Sequence, residues 1–323
     1  MKKSTIVLSI ILLVLIVSAG AYAIPSIFYK KEKIRVGYLT GDLHHLALFV
    51  ALANNYFAER GLELELYEYV NGPTLMQHFI AGELDFAYVG TPPALTARAR
   101  GIGTNNTNIP VVIGSANLEG SALVVNPNII KKISDLNNKR IGTPGTGTIQ
   151  DVMITIYAKA NNITITKYPG RIADLVLQYG RGEIDGFIGW EPFPSMAIHQ
   201  HNASILLTSR DIMPNHQCCV LVTTERMYNT RPDIVERVIS AHNVAIDFIL
   251  SNPSAAKKIA VERTKLPEPV VEMALSRIKF SKTVNVETIR TFLSEMISLG
   301  IIKEVDRNQI DEFIRGFVRI PSK

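Results

Sequence analysis

The chain has 323 residues, 47% hydrophobic and 20% charged, with a formal net charge of +5. That length suits about two domains. No basic block and no Lys/Arg run interleaved with aromatics is present, so nucleic acid is not an expected partner. The two cysteines, Cys218 and Cys219, are adjacent. Neighbouring Cα atoms lie about 3.8 Å apart, below the usual disulfide span of about 4.4–6.8 Å, so the fold is not built on disulfides.

The N-terminus carries a targeting signal. Lys2 and Lys3 precede an uncharged, mostly apolar run from Thr5 to Tyr29, and Lys30, Lys31 and Lys33 follow it. Ala21-Tyr22-Ala23 fits the small-x-small cleavage pattern of a secretory signal. The run also reaches the roughly 20 residues that span a bilayer uncleaved. Residues 1–29 are therefore read as a signal peptide or an N-terminal membrane anchor, and the protein is expected outside the cytoplasmic membrane, on its outer face or in a periplasm.

"KIRVGYLT" (33–40) reads as a strand, and Asp42 as the N-cap of a helix whose apolar residues begin at Leu43. "GLELELYEYV" alternates as a strand with one wet face, "TLMQHFIAG" is a short helix, and "DFAYVG" is a buried strand. Thr91-Pro92 then opens a helix as N-cap and first helical residue. After "VVIGSA" and "SALVVN" the pattern restarts. "GELD" at 82–85 returns as "GEID" at 182–185, and "RVG" at 35–37 returns as "RIG" at 140–142. Two similar α/β lobes with mainly parallel sheets are the economical reading. Beyond residue 222 the chain reads as helices, which pack most simply on the outside of the lobes.

Ligands of open α/β sheets bind where strand ends meet helix N-termini. Four such places stand out: 41–45, 90–92, 143–148 and 189–192. In "RIGTPGTGTIQD" no lysine lies between Arg140 and Lys159, so a P-loop, whose lysine reaches the phosphates, is improbable. The Gly-x-Gly-x-x-Gly spacing of a dinucleotide loop also fails. Thr148-x-x-Asp151 forms a capping box. Thr143, Thr146, Gly147 and Thr148 then offer hydroxyls and backbone N–H groups either to a small anion or to nothing but the turn itself. His44 and His45, at the positive end of a helix, are expected as neutral imidazoles and as candidate ligand contacts. Trp190 is a lid or stacking surface over a ligand, or a packing residue, and Glu191 caps its helix or meets an amino group. Cys218 and Cys219 read as two small residues of a buried strand pointing to opposite faces, with a strained disulfide or a soft-metal site as alternatives. The histidines show no metal spacing beyond the weak pair His199 and His201. No catalytic constellation, metal or cofactor is expected.

Taken together, "IRVGYLTGDLHHLALFVA", "GELDFAYVGTPPALTA", "ISDLNNKRIGTPGTGTIQD" and "GEIDGFIGWEPF" resemble the nitrate/sulfonate/taurine substrate-binding proteins of ABC transporters, whose fold is shared by thiamine-precursor-binding proteins. The resemblance covers roughly 33–250. It implies a type II periplasmic-binding-protein fold of class α/β, with two α/β lobes, a two-segment hinge near Ser115–Ser121 and His216–Val222, and extra C-terminal helices. Lobe 1 would comprise 33–119 with 219–323, and lobe 2 would comprise 120–218. It further implies a small-molecule solute, an ABC permease and its cytoplasmic ATPase as partners, and contacts from Asp42, His44, Thr91, residues 143–148, Trp190, Glu191 and, beside the hinge, Ser121. The candidate pocket segments hold no arginine or lysine, which argues for a polar or zwitterionic solute over a strongly anionic one. Two other classes remain open: an enzyme on the same fold, of the thiamine-pyrimidine synthase or menaquinone-pathway kind, and a membrane-anchored ligand sensor.

Overall fold

The structure, a computed structural model, describes residues 30–321. The signal or anchor expected at 1–29 lies outside the described residues. Among the described residues no helix is long and apolar enough to cross a membrane.

The strands, in chain order, are β1 (Glu32–Leu39), β2 (Leu62–Tyr69), β3 (Phe86–Gly90), β4 (Pro110–Glu119), β5 (Ser121–Val125), β6 (Lys139–Thr143), β7 (Ile165–Pro169), β8 (Gly186–Trp190), β9 (Ser204–Thr208), β10 (Gln217–Thr224) and β11 (Ile278–Phe280). They form two sheets, of order β11-β4-β10-β3-β1-β2 and β7-β6-β8-β5-β9. The parallel part of the first sheet, β2-β1-β3, has its counterpart in β7-β6-β8 of the second. The remaining pairs are antiparallel. The expected mainly parallel sheets are thus corrected to mixed ones. The antiparallel strands β4, β5, β9 and β10 flank the two places where the chain passes between sheets, so they do not arise from β-α-β crossovers, which make neighbours parallel.

The sequence repeat has a physical basis. In the first lobe the Asp85 carboxylate accepts from Arg35 N at 2.9 Å, Nε at 3.1 Å and Nη2 at 2.8 Å, and Asp85 N returns a bond to Arg35 O. In the second lobe Asp185 accepts from Arg140 N at 2.8 Å, Nε at 3.2 Å and Nη2 at 2.8 Å, with the same return bond. Each carboxylate fixes the start of a central strand against the strand that follows its own turn. This explains why "R(V/I)G" and "GE(L/I)D" travel together.

The apolar core of the first lobe includes Val36, Leu48, Phe86, Val111 and Leu221, with Ile149, Val152 and Met153 contributed by the helix Ile149–Ala160 of the second. The second lobe has its own clusters on either face of its sheet, around Leu175 and Phe187 and around Ile141 and Ile188. The helices Pro232–Ser251, Pro253–Thr264, Glu268–Leu275, Val286–Ser298 and Ile310–Phe317 cover the first lobe through residues such as Val235, Ala260, Val271, Phe292 and Phe317. One all-helical expectation fails there. Residues 278–280 form β11, an edge strand on β4, too short for its period to be read from sequence.

The first passage between sheets turns on Gly120, at φ +94°; a Cβ there would lie 2.3 Å from His44 Nε2. Only glycine fits both the dihedral and the space. Beside it the buried Glu119 carboxylate accepts from Arg210 Nε and Asn215 N, each at 2.8 Å, tying the first passage to the second.

Candidate functional site

After β1 the chain turns through Asp42 into a 3₁₀ turn, Leu43–His45, and then the helix Leu46–Ala53. Asp42 Oδ1 accepts from His44 N at 2.8 Å and so caps the turn, as its position implied. Asp42, His44 and His45 are all buried. His44 Nε2 lies 2.7 Å from Gly120 O; a carbonyl only accepts, so this nitrogen carries the proton. His44 Nδ1 then faces Asp42 Oδ1 at 3.4 Å, Cys218 Sγ at 3.5 Å and Cys219 Sγ at 3.7 Å. Burial opposes charge on His44, but the Asp42 carboxylate and Cys218 outweigh it and lift its pKa to about 10. Burial pushes Asp42 up to about 7. His45, lowered to about 3 by burial and by His44, is neutral and accepts from Leu39 N at 3.3 Å. The expectation of two neutral imidazoles therefore holds for His45 alone: at His44 adjacent charges exceed the helix-end effect.

Cys218 and Cys219 do not point to opposite faces. The pairing of β10 with β4 shifts register on both sides of Cys219. The irregularity brings the two sulfurs 4.0 Å apart on the His44 side, with Cys219 Sγ donating to Cys218 Sγ and no disulfide between them. Thr91 begins its helix, while Gly90 is the N-cap. The Thr91 hydroxyl donates to Gln217 O at 2.8 Å and Cys218 O at 3.2 Å, so it holds the bulged segment in place.

From the second lobe come the loop after β6 and the end of β8. Thr148 Oγ1 caps the helix by accepting from Asp151 N at 3.3 Å. Asp151 does not reach back to Thr148. Its carboxylate accepts from Gly147 N at 2.9 Å and pairs with Lys167 at 2.8 Å. The loop thus carries an anion of its own, and Gly147 N is taken. Thr146 is exposed, while Thr143 is buried with its hydroxyl unpartnered among the described residues. Ser121 Oγ accepts from Gln150 Nε2 at 3.0 Å. Trp190 is 2% exposed, stands edge-on to Phe193, and its Nε1 has no partner among the described residues. Glu191 is fully buried: Oε2 accepts from Ser195 N and Oγ, and Oε1 from Arg277 Nη1 at 2.6 Å. Burial raises its pKa against the pull of Arg277. Both carboxylate oxygens are engaged by protein. The Glu191 carboxylate accepts from the first turn of the helix Phe193–His201, whose N-cap is Pro192, and ties the second lobe to Arg277 in the C-terminal part of the chain.

These residues meet between the sheets. Leu39, Asp42, His44, Gly90, Thr148, Gln150, Trp190 and Cys219 line one small gap of about 10 Å³, room for about one water. Leu43 N donates to Glu191 O and Asn71 Nδ2 to Pro144 O across the seam, at 3.2 and 3.4 Å. Beside the cavity opens a recess of about 370 Å³, lined by Thr40, Gly41, Asp42, Glu68, Phe193 and Arg263 among others. Arg263, from the helix Pro253–Thr264, and Arg277, from the turn after the helix Glu268–Leu275, bring positive charge to the seam from positions remote in sequence. Neither was foreseen, because no motif marks them. The bulge at Cys218 and Cys219 leaves no signature in the sequence.

Comparison with known proteins extends this picture. A protein of Bacillus subtilis (strain 168) named for binding aliphatic sulfonates is 25% identical over 313 residues, 94% of this chain and 87% of its own. A 4-amino-5-hydroxymethyl-2-methylpyrimidine phosphate synthase of Saccharomyces cerevisiae is 23% identical over 230 residues, 67% of this chain and 66% of its own. The periplasmic nitrate-binding protein of Synechocystis PCC 6803 superposes with a TM-score of 0.77 at 14% identity, over 90% of this chain and 86% of its own. The fold is accordingly the two-lobed α/β periplasmic-binding-protein fold. The profile of the NMT1-like family matches residues 29–263, and the chain belongs to that family.

Proposed function

We propose that this protein is the extracytoplasmic solute-binding component of an ABC importer, which closes its two lobes on a small polar or anionic solute and delivers it to the permease. The solute class is that of nitrate, sulfonates, taurine, bicarbonate or a thiamine precursor. The observation that carries the reading is the seam itself. Two strand-to-helix segments from separate sheets, one with Asp42 and His44 and the other with Thr148 and Gln150, line one gap with Trp190. The gap there, about 10 Å³, is smaller than such a solute, so on this reading the lobes part to admit it. Capture is then a population shift, in which contacts to both lobes favour closure. The names of the Bacillus and Synechocystis proteins support the solute class.

A thermal-shift screen against nitrate, bicarbonate, taurine, alkanesulfonates and pyrimidine precursors tests the reading. A solute at 100 times its Kd adds about 2.7 kcal/mol of stability, a shift easily seen; failure of every solute and of cell extract to raise the melting temperature would contradict it. A second reading, an enzyme akin to the yeast synthase, draws on the buried thiols beside His44. The two readings part on whether the bound solute is recovered chemically unchanged.

A further inference from the structure

We infer that His44, Cys218 and Cys219 form a binding site for one thiophilic metal cation, Zn²⁺ or Cu⁺, in the floor of the cleft between the lobes. The three donor atoms already have the spacing such an ion imposes. Bonds of about 2.3 Å to sulfur and about 2.0–2.1 Å to imidazole nitrogen set S···S edges of about 3.8–4.0 Å and N···S edges of about 3.6–3.8 Å between tetrahedral and trigonal angles. The observed separations are 4.0 Å between the sulfurs and 3.5 and 3.7 Å from His44 Nδ1.

The imidazole is also held as a metal ligand is held. Its Nε2–H donates to the Gly120 carbonyl at 2.7 Å, which fixes the ring and turns Nδ1 toward the sulfurs. Gly120 is the residue whose missing side chain lets the ring approach. Asp42 steadies the turn from which the imidazole projects, by accepting from His44 N. All three donors are at most 2% exposed. Two thiolates and a neutral imidazole around Zn²⁺ leave no net charge, so the ion removes the penalty of burying unpaired charge.

The donor set suits no hard cation: thiolate and imidazole select Zn²⁺ and Cu⁺, whereas Mg²⁺ and Ca²⁺ take oxygen. Cys219 and His44 border the central cavity, so the ion has a route in when the lobes part. Room for about one further ligand remains at the open coordination position. Binding releases the thiol protons and the His44 Nδ1 proton to solvent, leaving Nε2–H on Gly120 O, and involves no change of oxidation state.

The proposal does not rest on the solute reading; solute capture by the metal-free protein tests that reading separately. The full chain, reduced and handled without oxygen, is titrated with Co²⁺, Zn²⁺ and Cu⁺, with Mg²⁺ as control. One ion per chain by native mass spectrometry is expected, together with a near-ultraviolet thiolate-to-cobalt band that Zn²⁺ displaces. Competition between Zn²⁺ and Cu⁺ decides between the two. Cys218→Ser and Cys219→Ser each abolish the band, and Asp42→Asn weakens affinity by roughly 10- to 100-fold. X-ray absorption of the metal-loaded wild type reads the same ligation with no substitution, as two sulfurs at about 2.3 Å in the first shell. The proposal is overturned if reduced protein retains no ion, if the first shell holds only nitrogen and oxygen, or if folded Cys218→Ser keeps the cobalt band.

Discussion

The loop after β1 and the loop after β6 hold the same place in two lobes built on one plan, each following a strand fixed by an Arg–Asp clamp. Their chemistry has diverged. The first carries Asp42, His44 and His45, all buried and all shifted in pKa. The second carries glycines and threonines, and its one carboxylate, Asp151, is neutralised by Lys167. The difference teaches where the repeat is constrained. The clamp, which sets strand register, is shared; the helix end that faces the seam is free to specialise. One lobe brings titratable donors to the cleft, and the other brings a polar, nearly uncharged wall with Trp190.

The most disruptive change to the specialised side is Gly120→Ala. Its Cβ collides with the His44 ring and its φ is strained, so a loss on the order of 3 kcal/mol or more is expected in urea unfolding. A loss under about 1 kcal/mol would show that the ring is not held there.

Acid should remove the stabilisation that His242 gives the first lobe. His242, buried and held between Tyr88 Oη at 3.0 Å and Ser115 O at 2.8 Å, has its pKa lowered by burial from 6.5 to about 4. The unfolded chain binds this proton below 6.5 and the folded chain does not. Its stabilisation is therefore full above pH 6.5 and is lost as the pH falls to about 4, by roughly 3 kcal/mol. The difference between wild type and His242→Gln across that window, with amide exchange reporting each lobe, checks the sign; exchange that accelerates equally in both lobes would oppose it.

The shared part is probed by Asp85→Ala and Asp185→Ala. Each leaves the same backbone N–H without its acceptor and should cost about 2 kcal/mol, and clearly unequal losses would break the equivalence of the clamps. Smallest is Thr148→Ala, which removes a helix cap and should cost about 1 kcal/mol by chemical denaturation.

The plan was legible in sequence where it is periodic or repeated. The GE(L/I)D and R(V/I)G pairs mark the two lobes because the clamp needs those residue types. The Asp42 and Thr148 caps followed from local pattern. What escaped depends on contacts distant in sequence. The β10 bulge that swings both thiols toward His44 has no signature in "NHQCCVLVTT". Arg277 reaches Glu191 from 86 residues away, and β11 is three residues long. The free N–H groups assigned to the Gly-rich loop overlooked that Asp151, four residues on, supplies the anion for one of them.

Trp190 is the chain's single tryptophan and borders the gap between the lobes, so its fluorescence reports the seam without a label. Titrating the full chain with the solute found by thermal shift should give a saturable change in Trp190 emission at one solute per chain, with affinity weakened in Thr148→Ala from the opposite strand-to-helix loop. A solute that binds tightly while leaving Trp190 emission unchanged would place capture elsewhere and contradict closure of the two lobes on the solute.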